Sequence, residues 1–166
     1  IKNIVKMNLA IIVAGGKGKR MHKRINKLFL LLNKDPIIFH TLNTFQNCKN
    51  INKIILVIRP EDRSKFESII KSNKFDKVIK VVDGGAERQD SVYNGIKAID
   101  DAKDDDVVLI HNAVNPFVDE ATINNCINAT KKYGAAVVGF PAKDTIKVVD
   151  SGFVKQTIGR RLLWQG

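Results

Sequence analysis

Cysteine is scarce in this chain. Its 166 residues hold two cysteines, Cys48 and Cys126, far apart and in no metal-ligand spacing, and no His/Cys cluster suits zinc. Each falls on the apolar side of a predicted helix, which reads as a buried free thiol and a reducing, cytoplasmic setting. Long hydrophobic runs are missing too. No apolar stretch approaches the roughly 18 residues of a spanning helix, so no membrane partner is expected. The opening IKNIVKMNLAIIVAGG has two lysines and a short apolar run but no small-residue cleavage site. It reads as a first core strand and not as a signal peptide. Internal repeats and low-complexity linkers are absent, so one domain over 1–166 is expected. Acidic charge is also short: 17 Asp and Glu against 28 Lys and Arg leave a net charge of +11. That excess points to a polyanionic partner, either nucleic acid or a phosphorylated small molecule.

What is present is a regular alternation of strand-like and helical runs. NLAIIVA, LFLLL, KIILVIR, KVIKVVD, DVVLIH and AAVVGF read as strands. Several are continuously apolar and β-branched, as in a mostly parallel sheet covered on both faces. Between them lie amphipathic segments. DPIIFHTLNTFQNC offers Asp35 as N-cap, Pro36 at the first helical position, and Ile38, Leu42 and Phe45 on one face. PEDRSKFESIIKSN presents Phe66, Ile69 and Ile70, and ERQDSVYNGIKAI presents Val92, Ile96 and Ile99. DEATINNCINATKKYG presents Ile123, Ile127 and Tyr133 and stops at Gly134. The alternation predicts an α/β fold with three α/β/α layers. DTIKVVDSGFVKQTI then breaks the rhythm with two alternating stretches around Asp150-Ser151-Gly152, a predicted β-hairpin arm over 144–158.

The densest signal is AIIVAGGKGKRMHKRINK, where a buried strand runs into three glycines and six basic side chains with no acid among them. The loop leaves the C-terminal end of the first strand, where open α/β sheets place ligands. Gly15, Gly16 and Gly18 let backbone N–H groups converge on an anion, and Lys17, Lys19, Arg20, Lys23, Arg24 and Lys27 surround them. A dinucleotide fingerprint is excluded because Met21 stands where the third glycine belongs, and the P-loop pattern is absent.

This stretch resembles the AGGxGxRM signature of sugar-phosphate nucleotidyltransferases. GGAERQDSVYNGI at 84–96, IHNAVNPF at 110–117, PAKDTIKVV at 141–149 and TIGRRLLW at 157–164 narrow the likeness. Together they resemble the cytidylyltransferases that act on 2-C-methyl-D-erythritol 4-phosphate, with the ribitol 5-phosphate enzymes as close relatives. The resemblance implies a Rossmann-like nucleotidyltransferase fold, Mg²⁺ as cofactor, and a homodimer formed through the arm. It implies attack of a sugar-alcohol phosphate on the α-phosphorus of CTP, with pyrophosphate leaving and CDP-methylerythritol as product. No nucleic-acid partner is expected, because no aromatic stacking platform accompanies the basic residues.

By the same resemblance, Ala14, Gly15, Gly16 and Gly18 line the nucleotide phosphates, and Arg20 and Lys27 are catalytic, bracketing the α-phosphate. Gly85, Ala86 and Ser91 read the cytosine, with Arg88 organising their loop. Asn112 and Ala113 border the ribose, and Asn112 occupies the metal-side position. Asn115, Thr145 and Arg160 face the acceptor phosphate. His22, His40 and His111 are expected to be structural. Three features depart from the family pattern. Asn26 stands where proline usually precedes the lysine, which implies a small change in loop stiffness. Asn112 and Asn115 replace an aspartate and an arginine, and an amide brings no charge to metal or phosphate. The pattern also implies further strand and helix beyond Gly166, so an incomplete domain is expected. A non-catalytic nucleotide-binding remnant is the alternative that these departures favour.

Overall fold

The computed structural model describes residues 6–15, 26–100 and 102–166. Asn8–Val13 forms β1, and all six of its residues are buried, as an uninterrupted apolar strand requires. A 3₁₀ turn at Lys27–Phe29 leads to a small antiparallel ribbon, β2 (Leu31–Leu32) with β3 (Asp35–Pro36). Then follow α1 (Ile37–Asn47), β4 (Lys53–Ile58), a 3₁₀ turn at Pro60–Asp62, α2 (Arg63–Ser72) and β5 (Val78–Asp83). After these come α3 (Arg88–Lys97), β6 (Val107–Asn112) and α4 (Glu120–Tyr133). Beyond α4, β7 (Phe140–Pro141) pairs antiparallel with β10 (Trp164–Gln165), and β8 (Lys147–Asp150) with β9 (Phe153–Thr157).

The four long strands form one parallel sheet in the order β5-β4-β1-β6. Alternation along each strand sorts the side chains between two layers. Ala10, Ile12, Ile54, Leu56 and Ile58 face α1, α2 and α4 through Ile38, Leu42, Phe45, Phe66, Ile123 and Ile127. Ile11, Val13, Ile55 and Val57 face the other way, against Val92 of α3 and the Ala98-Ile99 pair that follows it. The α/β/α layering expected from the sequence is therefore present, with three helices on one face and α3 on the other. Helix ends follow local chemistry. Asp119 caps α4 by accepting the Thr122 N–H at 2.7 Å, and Gly134 at φ 87° ends it. The arm turns at Ser151 (φ 51°) and Gly152 (φ 83°), the positive pair of a type I′ hairpin.

Several expectations are corrected. LFLLL is not a sheet strand. Lys27–Phe29 is a 3₁₀ turn with Leu28 buried, and only Leu31 and Leu32 pair, with β3. Asp35 does not cap α1; it pairs with Leu32, Pro36 takes the cap position without a side-chain bond, and the helix begins at Ile37. AAVVGF supplies only Phe140 to a strand, and Val137 is 89% exposed, because no described strand lies beside it to take a central place in the sheet. Tyr133 and Ile96 are exposed, and Cys126 is half-buried while Cys48 is buried. On α3 the fully buried residues are Ser91 and Gly95, with Val92 and, just beyond the helix, Ile99 half-buried against the sheet as expected and Ile96 outside that stripe.

Gly95 lets α3 pack closely on the sheet. A Cβ there would lie 2.6 Å from Ile11 Cγ2 and 3.0 Å from Val57 Cγ2, both in the packed core. Gly95→Val should lower the unfolding free energy by about 1–3 kcal/mol, the usual cost of overpacking. Urea denaturation measures it, and an unchanged midpoint would mean that α3 can move away freely.

Candidate active site

The carboxyl ends of β1, β4 and β5 lie side by side, so the segments that leave them share one edge of the sheet. Ala14 N–H donates to Val57 carbonyl and Gly84 N–H to Ile58 carbonyl, each at 2.7 Å, extending the ladder into those segments. Gly15 and Gly84 then face each other across the Ser91 hydroxyl. A Cβ on Gly84 would sit 2.9 Å from Ser91 Oγ, and one on Gly15 would sit 3.4 Å from the same atom. Glycine at both positions lets the two backbones approach. A cleft of about 330 Å³ opens there, lined by Gly15, Gly84 and Gly85 on one side and Ile58–Glu61 on the other. That volume suits a small-molecule site.

Ser91 is 3% exposed. Its hydroxyl donates to the Glu87 carbonyl at 3.2 Å and accepts the Gly85 N–H at 3.1 Å. It braces the Gly84–Glu87 turn from below, and the N-cap of α3 is completed by a Glu87–Asp90 capping box. The organising role expected of Arg88 falls instead to Asp90, whose carboxylate accepts the Glu87 N–H at 2.9 Å, and to Ser91. Arg88 is exposed and makes no hydrogen bond among the described residues. Ala86 is exposed beside it.

Lys27 is held by its neighbours. Asn26 accepts the Leu28 N–H at 3.1 Å and donates to Asp62 Oδ2 at 2.8 Å. Leu28 is buried in the same cluster as Ala14 and Ala113, and the Phe29 ring lies 4.9 Å from that of Phe66. Sequence reasoning missed the Asn26–Asp62 contact and the Arg59–Asp62 pair behind it. An asparagine two residues before a backbone N–H that it caps was the available signal.

At the end of β6, Asn112 is in register with Val13, and Ala113 N–H donates to the Val13 carbonyl at 3.0 Å. The buried Thr41 hydroxyl donates to the Ala113 carbonyl at 2.8 Å, tying α1 to this corner. Asn112 is half-buried and Asn115 exposed, the latter closing a turn onto the Asn112 carbonyl. His111 packs 5.0 Å from the Phe45 ring, with Nε2 3.1 Å from the Asn115 carbonyl. Burial pushes its pKa below the ordinary histidine range, opposed by the Asn115 carbonyl and assisted by the charge of Arg88. His40 Nε2 meets the Leu32 carbonyl at 2.7 Å, also a structural contact. Thr145 and Arg160 are exposed on the distal part of the chain, and Arg160 donates to the Lys143 carbonyl at 3.1 Å. No hydrogen bond joins either to the glycine segments among the described residues. Gly16, Gly18, Arg20 and His22 lie outside the described residues. No three His, Cys, Asp or Glu side chains converge on a metal position among the described residues.

A family model for 2-C-methyl-D-erythritol 4-phosphate cytidylyltransferase (IspD) matches residues 8–166. The protein of that name from Clostridioides difficile (strain 630) is 48% identical over 159 residues, covering 95% of this chain and 66% of the relative. Its counterpart from Geobacillus kaustophilus (strain HTA426) is 43% identical over 155 residues, with 93% and 67% covered. The crystal structure of 4-diphosphocytidyl-2C-methyl-D-erythritol synthase from Anaerococcus prevotii DSM 20548 superposes with a TM-score of 0.82 at 32% identity, over 96% of this chain and 68% of that one. The chain thus spans about two thirds of the length of the curated relatives it matches.

The histidine at the end of β6 gives a pH signature. A folded pKa below the unfolded value means that the unfolded chain binds the extra proton, so stability rises with pH through that window. Stability should fall as pH drops from about 7 through the unfolded histidine value near 6.5 toward the lower folded value. His111→Gln should flatten this segment of the profile in pH-dependent urea melts. An equal slope in both proteins would place the titration elsewhere.

Proposed function

The chain belongs to the 2-C-methyl-D-erythritol 4-phosphate cytidylyltransferase family, and on that premise we propose that it transfers the cytidylyl group of CTP to 2-C-methyl-D-erythritol 4-phosphate. The observation that carries this reading is the meeting of Gly15 and Gly84-Gly85 over the buried Ser91 hydroxyl, at the carboxyl ends of parallel strands. An acceptor phosphate oxygen forms a bond to the α-phosphorus, the bond to the β-phosphate bridge breaks, and pyrophosphate leaves. Both reactants are anions, so the protein's contribution is alignment and charge neutralisation. In this reading Gly15, Gly16 and Gly18 offer backbone donors to the triphosphate, and Arg20 and Lys27 stabilise charge on the α-phosphoryl oxygens. Gly85, Ala86 and Ser91 form the base side, Asn112 and Ala113 the ribose side, and Asn115, Thr145 and Arg160 the acceptor side. The name carried by the relatives supports methylerythritol phosphate over ribitol phosphate as acceptor.

Mg²⁺ is part of the family reading, but the described residues do not fit a protein-held ion. Asn112 offers one neutral oxygen, and no carboxylate cluster accompanies it among the described residues. The cytoplasmic setting rests on the two free thiols. Among the described residues no helix is long and apolar enough to cross a membrane. The neutral Asn112 and Asn115 favour one second reading, a protein that binds CTP without turning it over.

Calorimetric titration with CTP should show binding that Lys27→Ala weakens about ten- to a hundredfold, the loss of one charge-assisted contact worth roughly 1.5–3 kcal/mol. Pyrophosphate release on addition of 2-C-methyl-D-erythritol 4-phosphate is the expected outcome. CTP binding with no release would leave the second reading standing, and equal affinity in both proteins would remove Lys27 from the site.

A homodimer through the arm belongs to the same proposal. Ile146, Val148 and Val154 of the hairpin are 39%, 39% and 60% exposed, and a two-stranded ribbon cannot bury them by itself. Light scattering should give twice the chain mass at micromolar protein. Lysine at 148 and 154 should return it to the single-chain mass, and a wild-type monomer would count against the arm as an interface.

A further inference from the structure

Asn26 adopts φ −63° and ψ 123°, and that φ is the one a proline ring imposes. The value is open to any residue in extended backbone; what distinguishes Asn26 is that its side chain, in place of a ring, is tied down at both ends. The amide oxygen accepts the Leu28 N–H at 3.1 Å, and the amide nitrogen donates to Asp62 Oδ2 at 2.8 Å. The same Asp62 oxygen accepts from Arg59 Nε at 3.0 Å and from a terminal guanidinium nitrogen at 2.7 Å. Asp62 is 6% exposed. It stands at the N-cap of α2, where a carboxylate ordinarily accepts a first-turn N–H, yet it makes no cap bond there. Its side chain is committed to Arg59 and Asn26 instead.

We propose that Asn26 and Asp62 form a latch that orients Lys27 toward the CTP phosphates, with Asn26 a positioning residue whose side chain does the work of a proline ring. The inference rests on the reading of Lys27 as a phosphate-binding residue. Lys27 lies between two fixed points, the latch on one side and buried Leu28 with Phe29 against Phe66 on the other. Its backbone therefore has little freedom left, and its side chain leaves from one place. The charge of Arg59 matters to this arrangement. A bare carboxylate near Lys27 would compete with phosphate for the ammonium, and the doubly hydrogen-bonded guanidinium satisfies Asp62 first.

The test is CTP affinity by calorimetry for the wild type, Asn26→Ala, Asn26→Ser, Asn26→Pro, Lys27→Ala and the Asn26→Ala/Lys27→Ala double variant, with a thermal melt on each. Asn26→Ala should weaken CTP about tenfold, the scale of one lost hydrogen bond to a charged group. Asn26→Ser keeps a capping oxygen but is too short for Asp62, so it should weaken binding as well. It also serves as the reading if Asn26→Ala does not fold. Asn26→Pro restores the φ constraint without either side-chain bond and should bind CTP within about twofold of wild type. In the Lys27→Ala background, Asn26→Ala should change affinity no further, because the residue acts through Lys27. Unchanged affinity in Asn26→Ala and Asn26→Ser beside a weakened Lys27→Ala would overturn the latch alone. So would additive losses in the double variant, or a proline variant as weak as alanine. Full CTP affinity in Lys27→Ala would overturn the underlying reading of the site, and the latch with it.

Discussion

β1 is hydrogen-bonded to β4 on one side and to β6 on the other, and helices cover both of its faces, so none of its side chains is left to water. The backbone that leaves such a strand is positioned with little slack, because moving it would disturb two ladders and two packed layers. Ala14 and Gly15 inherit that rigidity, and Ala113 inherits it from the β6 side through its bond to the Val13 carbonyl. Each fully buried leucine or isoleucine contributes about 1.5–3 kcal/mol. The core is therefore the reservoir against which glycine segments can be brought face to face. The Gly15–Gly84 approach is a product of sheet geometry before it is a feature of any ligand site.

Charge is distributed on a different logic. Several of the acids are engaged in pairs along the sheet's flank: Asp62 and Glu61 with Arg59, Asp83 with Arg63, Asp100 with Lys80. Asp62 is buried in its pair, while the pairs of Glu61, Asp83 and Asp100 are exposed and contribute little to stability, but all of them absorb negative charge that would otherwise repel an anion. The basic excess of +11 is left over for a partner. That excess alone is equally suited to nucleic acid. The glycine geometry adds what charge alone does not: a cleft of about 330 Å³, a size that suits a small molecule.

Much of this was legible in the order of residues. Apolar, β-branched runs at β1 and β4 carry their own assignment, because only a strand covered on both faces can hide every side chain. The same signal failed at LFLLL. Leu28 and Phe29 are apolar for a different reason, packing over Phe66 and the core in a 3₁₀ turn, while Leu31 is exposed, and run length cannot separate the two cases. It failed again at AAVVGF, where β-branched residues have no described neighbour to pair with. The roles of Ser91 and Asn26 were hidden for another reason. Glycine-rich motifs announce a close approach, but not that a buried hydroxyl braces it from beneath. A contact spanning 36 residues, from Asn26 to Asp62, leaves no periodic trace.

The difference between a ring and a latch has a thermodynamic side. Proline restricts φ in the folded and the unfolded chain alike, and so lowers the entropy lost on folding. Hydrogen bonds from Asn26 form only once Arg59, Asp62 and the start of α2 are in place. The same Ile58–Glu61 segment that presents Arg59 also lines one wall of the cleft whose other wall is Gly15 and Gly84-Gly85. Lys27 geometry and cleft geometry therefore depend on one junction, the turn between β4 and α2. Asparagine at this position makes the placement of Lys27 conditional on that turn, where a proline ring would set φ without it.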